Sequence, residues 1–116
     1  MKFDKGLMAG SSTMLVLSLL EKEDMYGYQM IEELARRSND TFQMKEGTLY
    51  PILHTLEKEK YLSSYQQEAP TRRMRKYYKI TRKGAALLSE KQVEWEAFRN
   101  GVTSVLAFGA KVPAMG

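Results

Sequence analysis

Helical spacing of apolar residues up to about residue 60, alternation from 61 to 81, and helical spacing again from 82 predict a mainly α protein with a small β-hairpin, an α+β fold. The chain has 116 residues, which suits one domain with a protruding terminal element.

Residues 1–6 are polar and loose apart from Phe3. Residues 7–20 are mostly apolar and carry no charge, as in a helix covered on more than one side. No apolar run approaches the roughly 20 residues of a membrane span, so no membrane partner is expected and the protein is read as cytoplasmic. Glu21 to Asp24 form a charged turn. Tyr26 to Arg37 make an amphipathic second helix with Gly27, Met30, Ile31 and Leu34 on one side. Gly27 allows a close helix approach there. The helix stops at the turn formers Ser38, Asn39 and Asp40.

The third helix lies within 46–60, EGTLYPILHTLEKEK. Leu49, Ile52, Leu53 and Leu56 form its apolar stripe, while Thr48, Tyr50, His54, Glu57 and Lys58 project elsewhere. Pro51 leaves two starts open. With Thr48 as N-cap it is the third helical residue and costs little; with a start at Glu46 it removes one internal hydrogen bond.

Tyr61 to Glu68 and Met74 to Thr81 read as strands joined by Ala69 to Arg73. On the second strand Tyr78 and Ile80 share one face, and Tyr77, Lys79 and Thr81 the other. Thr81 then serves as N-cap of a last helix running from Arg82 to about Gly109. Leu88, Lys91, Trp95, Phe98, Val102 and Val105 recur on it at steps of 3 and 4. Such a helix is about 40 Å long at ~1.5 Å per residue, more than a domain of this size covers. Leu88, Trp95, Phe98, Val102 and Val105 are therefore expected at a homodimer contact. The divisions expected are a domain at 1–81, a dimerisation helix at 82–109 and a flexible tail at 110–116.

The net charge of +4 is unevenly placed. Residues 1–69 carry a net −3, residues 70–83 a net +7 with no acid among them, and residues 84–116 balance. One hairpin and its flanks thus form a local site for an anion. Cysteine is absent and His54 is the sole histidine. This excludes thiolate metal sites, disulfides, iron–sulfur clusters and thiol nucleophiles. No partner constellation for catalysis stands near His54. No catalytic residue, metal site or cofactor is expected, and binding remains as the function to explain.

Two helices joined by a short link and followed by a basic hairpin make a winged helix-turn-helix arrangement. The segments MYGYQMIEEL (25–34), EGTLYPILHTLEKEKYL (46–62) and RRMRKYYKITRKG (72–84) resemble the signature segments of PadR-like bacterial transcriptional regulators. The single helix after the wing resembles their short-chain subfamily. That resemblance implies a dimeric winged-helix DNA-binding protein, usually a repressor, joined through the last helix. It also implies that some relatives hold flat aromatic compounds in a tryptophan-lined pore between subunits, with Trp95 at a similar place. Met74 interrupts the basic run where a Gly or polar residue would be expected.

Arg72, Arg73, Arg75 and Lys76 are the expected phosphate contacts of the wing. Lys45, Thr48, Leu49, Tyr50, His54 and Lys58 are expected at the DNA through the third helix, and Tyr26 through the start of the second. The partner expected is a pseudo-palindromic operator in double-stranded DNA. Trp95, Phe98 and Met8 are expected to contact a planar aromatic effector, with Val16 nearby. An alternative is a winged-helix module that binds an acidic protein through its hairpin. A single-strand binder would stack bases on Tyr65 and Tyr77.

Overall fold

The computed structural model describes residues 2–111. Asp4 opens the first helix, its carboxylate accepting the Gly6 N–H at 3.3 Å. Helix α1 (Lys5–Leu19) therefore begins two residues before the apolar run. Strand β1 (Met25–Tyr26) leads directly into α2 (Gly27–Arg37). Asn39 and Asp40 take positive φ of 51° and 62° in the turn beyond α2, the conformation Asn and Asp tolerate best after Gly.

Helix α3 (Glu46–Lys58) settles the two possible starts. It begins at Glu46, with Lys45 as an N-cap that makes no side-chain bond. Pro51 therefore lies inside the helix and leaves the Gly47 carbonyl without its intrahelical donor. The hairpin consists of β2 (Leu62–Glu68) and β3 (Met74–Ile80), followed by α4 (Arg82–Lys111).

The sheet is antiparallel in the order β1-β3-β2. Hairpin register runs from Leu62 opposite Ile80 to Glu68 opposite Met74. Strand β1 pairs Met25 with Tyr78 and Tyr26 with Tyr77. The sequence predicted only two strands, because two residues are too short for alternation to show. At the tip, the Arg72 N–H donates to Ala69 O and the Ala69 N–H to Arg73 O, both at 2.8 Å. Arg72 takes φ 67°, as the third residue of a three-residue hairpin loop does.

The core gathers Val16 and Leu17 of α1, Met30 and Leu34 of α2, Leu49, Leu53 and Leu56 of α3, and Tyr78. Leu88 of α4 joins them at 1 % exposure. Leu88 is thus a core residue of the protomer, which corrects its placement at a dimer contact: the seam turns inward over α1 before it emerges. Val16 is likewise sealed in the core and is not part of a ligand space.

The entry to α4 is tightly built. Thr81 Oγ1 accepts the Gly84 N–H at 3.0 Å and donates toward the Lys60 and Tyr61 carbonyls. The predicted N-cap is therefore present. Gly84 packs on the Tyr61 carbonyl so closely that a Cβ would overlap that oxygen. Beyond Leu88 the helix leaves the domain, and the molecule extends to 66 Å along its long axis. Helix α4 continues to Lys111, past the boundary predicted at 109. The remainder of the predicted tail, 112–116, lies outside the described residues. No helix among the described residues is long and apolar enough to cross a membrane.

Gly84→Ala is expected to destabilise the fold by about 2–3 kcal/mol, because the clash is with backbone and not with a movable side chain. Urea denaturation of the variant beside Ala86→Gly, an exposed helix site, checks this. The alanine should cost more than the glycine, the reverse of helix propensity.

Candidate nucleic-acid interface

Helix α3 buries Leu49, Leu53 and Leu56 and turns Pro51, His54 and Lys58 the opposite way, with Thr48 and Thr55 beside them. All five outward residues are exposed, as is Lys45 before the helix. Leu49 is corrected: at 1 % exposure it holds the helix to the core and cannot meet a ligand. Pro51 and Thr55 were not among the expected contacts. Their position opposite the leucine stripe was the signal that marks them.

Tyr50 is half-buried against the core. Its ring lies over the start of α2, where a Cβ on Gly27 would sit 2.5 Å from the Tyr50 hydroxyl. Gly27 thus provides the close approach the sequence suggested. His54 neighbours Tyr50, with 6.3 Å between ring centroids.

The hairpin cations divide into two kinds. Arg72 and Arg73 at the tip are exposed and make no salt bridge among the described residues. Arg75 is half-buried, with its guanidinium 5.4 Å from the Tyr26 ring centroid and its Nε without a hydrogen-bond partner. Lys76 donates to Glu57 Oε1 of α3 at 3.1 Å and lies over the Tyr78 ring. Glu57 also accepts from the Ser64 hydroxyl of β2. These bonds tie α3 to both strands of the hairpin. The Ser64 hydroxyl, and then Lys76, hold the Glu57 carboxyl below its usual range, and Glu57 raises Lys76 in return.

Tyr26 is half-buried and edge-on to Tyr77, 5.4 Å between centroids, beneath Arg75. Tyr77 stacks in turn on Tyr65 at 5.7 Å. Tyr28, two residues on from Tyr26, is 51 % exposed. It is the freer of the two tyrosines that flank Gly27. Tyr77 is only 8 % exposed, so it offers no stacking platform for bases.

Negative charge collects on the other side of the hairpin. A cleft between it and α2 is lined by Glu23, Asp24, Glu32, Glu33 and Glu68. Arg36 and Arg37 hold the Glu33 carboxyl down to about 2. Tyr65 donates its hydroxyl to Asp24 at 2.6 Å and is pushed up to about 12. A polyanion therefore meets attraction on the α3 and wing-tip side and repulsion on this one.

On the far side of the domain, Trp95 and Phe98 stand 6.4 Å apart between centroids. They line a groove of about 230 Å³ with Leu7, Gly10 and Met14 of α1, and Lys91 and Glu94 at its edge. Met8 is not in it and faces a separate cleft toward α3. Its expected role beside Trp95 is corrected, because residues 7, 10 and 14 share one helix face and 8 and 12 another. Phe98 in this groove, and Val102, Val105, Leu106 and Phe108 past it, are all exposed. Among the described residues there is no cluster of potential metal ligands.

The family model described as the transcriptional regulator PadR-like family matches residues 16–90. An uncharacterised protein of Lysinibacillus sphaericus is 38 % identical over 89 residues, 77 % of this chain and 82 % of that one. Among solved structures, a transcriptional regulator from Clostridium thermocellum superposes with a TM-score of 0.78 at 31 % identity, over 86 % of this chain and 97 % of the other. A PadR-like transcriptional regulator from Bacillus cereus does so with a TM-score of 0.78 at 27 % identity, over 88 % and 97 %.

Two outcomes test this geometry. Arg72→Gly should stabilise the protein by up to ~1 kcal/mol in urea denaturation, since a left-handed conformation costs a side-chain-bearing residue that much or more. Arg73→Gly, without a positive φ, should instead destabilise it slightly. Glu57→Gln should lower stability at neutral pH. Because the folded Glu57 carboxyl titrates below its ordinary 4.5, its contribution is complete above that value and is lost as pH falls further. Thermal unfolding of the two proteins should therefore converge below pH 4.5.

Proposed function

The chain belongs to the PadR-like family of transcriptional regulators, and from that premise we propose that it is a homodimeric repressor whose α3 enters the major groove of an operator. Membership makes it a DNA-binding regulator and not an enzyme. One observation carries the finer reading: the outward face of α3 and the bare arginines at the wing tip are tethered through Glu57, Lys76 and Ser64. Thr48, His54 and Lys58 face the groove, Lys45 meets a phosphate, and Arg72 and Arg73 reach the adjacent backbone. Arg75, Lys76 and Tyr26 shape the wing, and the two cations add charge at a distance.

The exposed apolar side chains of α4 beyond Leu88 support a dimer. Trp95, Phe98, Val102 and Val105 form its contact, with Leu7, Gly10 and Met14 receiving the partner's helix. A two-fold dimer matches an operator with half-sites about one helical turn (~10 bp) apart or a multiple of it. A planar aromatic effector between the two Trp95 rings would change the angle between subunits and so the spacing of the two α3 helices.

Fluorescence anisotropy over a salt series, using duplexes that tile the DNA upstream of the protein's own gene beside random duplex, tests DNA binding. Arg72→Ala and Arg73→Ala should each weaken binding to every duplex and reduce the slope of log affinity against log salt by about 0.9. His54→Ala should instead change the preference among operator variants. Binding without salt dependence or duplex preference would refute the reading, and capture of an acidic protein by the same arginines would favour the interaction module. Phe98→Glu should yield monomers in sedimentation and lose the operator. An unresponsive Trp95 fluorescence across a panel of planar aromatics would remove the effector.

A further inference from the structure

We propose that the winged-helix domain carries a second small-molecule site, for an amphipathic anion, in the cleft between the N-terminal segment, α1 and the start of α3. The cleft measures about 840 Å³, within the roughly 300–1,000 Å³ of small-molecule pockets. It is separate from the Trp95 groove, since the α1 residues that line it face the other way.

Its chemistry is two-sided. Phe3, Met8, Phe42 and Ile52 supply an apolar floor, and Phe3 closes on Phe42 with 5.5 Å between ring centroids. Lys2, Lys5 and Lys45 stand at the rim, against the single carboxylate of Asp40. All three lysines are exposed and none makes a salt bridge among the described residues. The start of α3 opens on the same cleft through Lys45 and Thr48. No side chain caps that helix, so the Glu46 and Gly47 N–H groups add partial positive charge there, offset in part by the Glu46 carboxylate of the first turn. Three cations and a helix start over an aromatic floor suit a ligand with an apolar body and one carboxylate or sulfonate. A neutral molecule would leave the lysines unused, and a cation would be repelled.

Lys45 and Thr48 also belong to the DNA-facing end of α3. A bound anion takes them from the phosphate backbone and places a like charge beside it. Ligand and DNA therefore oppose one another. This coupling rests on the DNA-binding reading above; anion binding itself does not.

The probe is 1-anilinonaphthalene-8-sulfonate, with N-phenyl-1-naphthylamine as its neutral counterpart, each titrated by fluorescence into the free protein. The anionic probe should bind more tightly, by about fivefold if two rim lysines each contribute as exposed pairs do. Lys5→Ala with Lys45→Ala should abolish that preference without changing thermal stability, and Trp95→Ala should leave it intact. Loss of binding in Trp95→Ala, an unchanged preference in the lysine double variant, or no binding of either probe would overturn the site. With operator DNA present, the anionic probe should lower DNA affinity by the factor by which DNA lowers its own. A bound probe that leaves DNA affinity unaltered would overturn the coupling. A protein that binds the probe but no DNA even in its absence would refute the DNA-binding reading and leave the anion site standing.

Discussion

The contact of Gly84 with the Tyr61 carbonyl decides how the rest of the molecule is disposed. Only a residue without a Cβ can bring α4 that close to the chain leaving α3. Thr81 fixes the same joint, capping α4 while it bonds the Lys60 and Tyr61 carbonyls. Lys60 takes φ 69° so that the chain can turn there. Leu88 then seats the first turns of α4 in the core. Since a helix is stiff over this length, a small change at the joint would displace Phe98 and Val105 by much more. In the proposed dimer, the spacing of the two α3 helices would follow from this one corner.

A second tie works on the DNA side. Glu57 looks misplaced in a protein meant to approach phosphate, but it accepts from Lys76 and Ser64 and so fixes the wing against α3. The charge map is therefore divided by role. Arg75 and Lys76 are engaged by Tyr26 and Glu57, whereas Arg72 and Arg73 make no salt bridge among the described residues. Arg72 occupies a strained left-handed position. A cation kept where glycine would be more comfortable is what a functional demand at the tip leads one to expect.

Much of the fold was legible because apolar spacing is a local property. All four helices and both hairpin strands can be located from it, and Thr81 as a cap and Gly27 as a close approach follow from single residue types. The site was legible as a region for the same reason: seven cations without an acid over residues 70–83 stand out in any listing of charge. Which of them are free was not legible. The pairing of Lys76 with Glu57 spans 19 positions, and the stacking of Arg75 on Tyr26 depends on a two-residue strand with no period of its own. Leu88 was misassigned because an apolar residue on a seam reads alike whether the seam faces its own core or a second subunit, and Leu49 because its place at the start of α3 was weighed above its place in the apolar stripe.

By itself, the sequence determined the order of the four helices and the hairpin, the hairpin as the cationic edge, and the absence of cysteine chemistry, because composition and period need no folding to be read. It also supported the family, through three segments whose order and spacing are specific. Tertiary structure alone decided that α3 starts at Glu46, that Met8 turns from Trp95 toward α3, and that the hairpin is tied to α3. The last of these depends on groups apart in the chain, Glu57 with Ser64 and Lys76, meeting at ångström separations. A local pattern carries no information about such meetings.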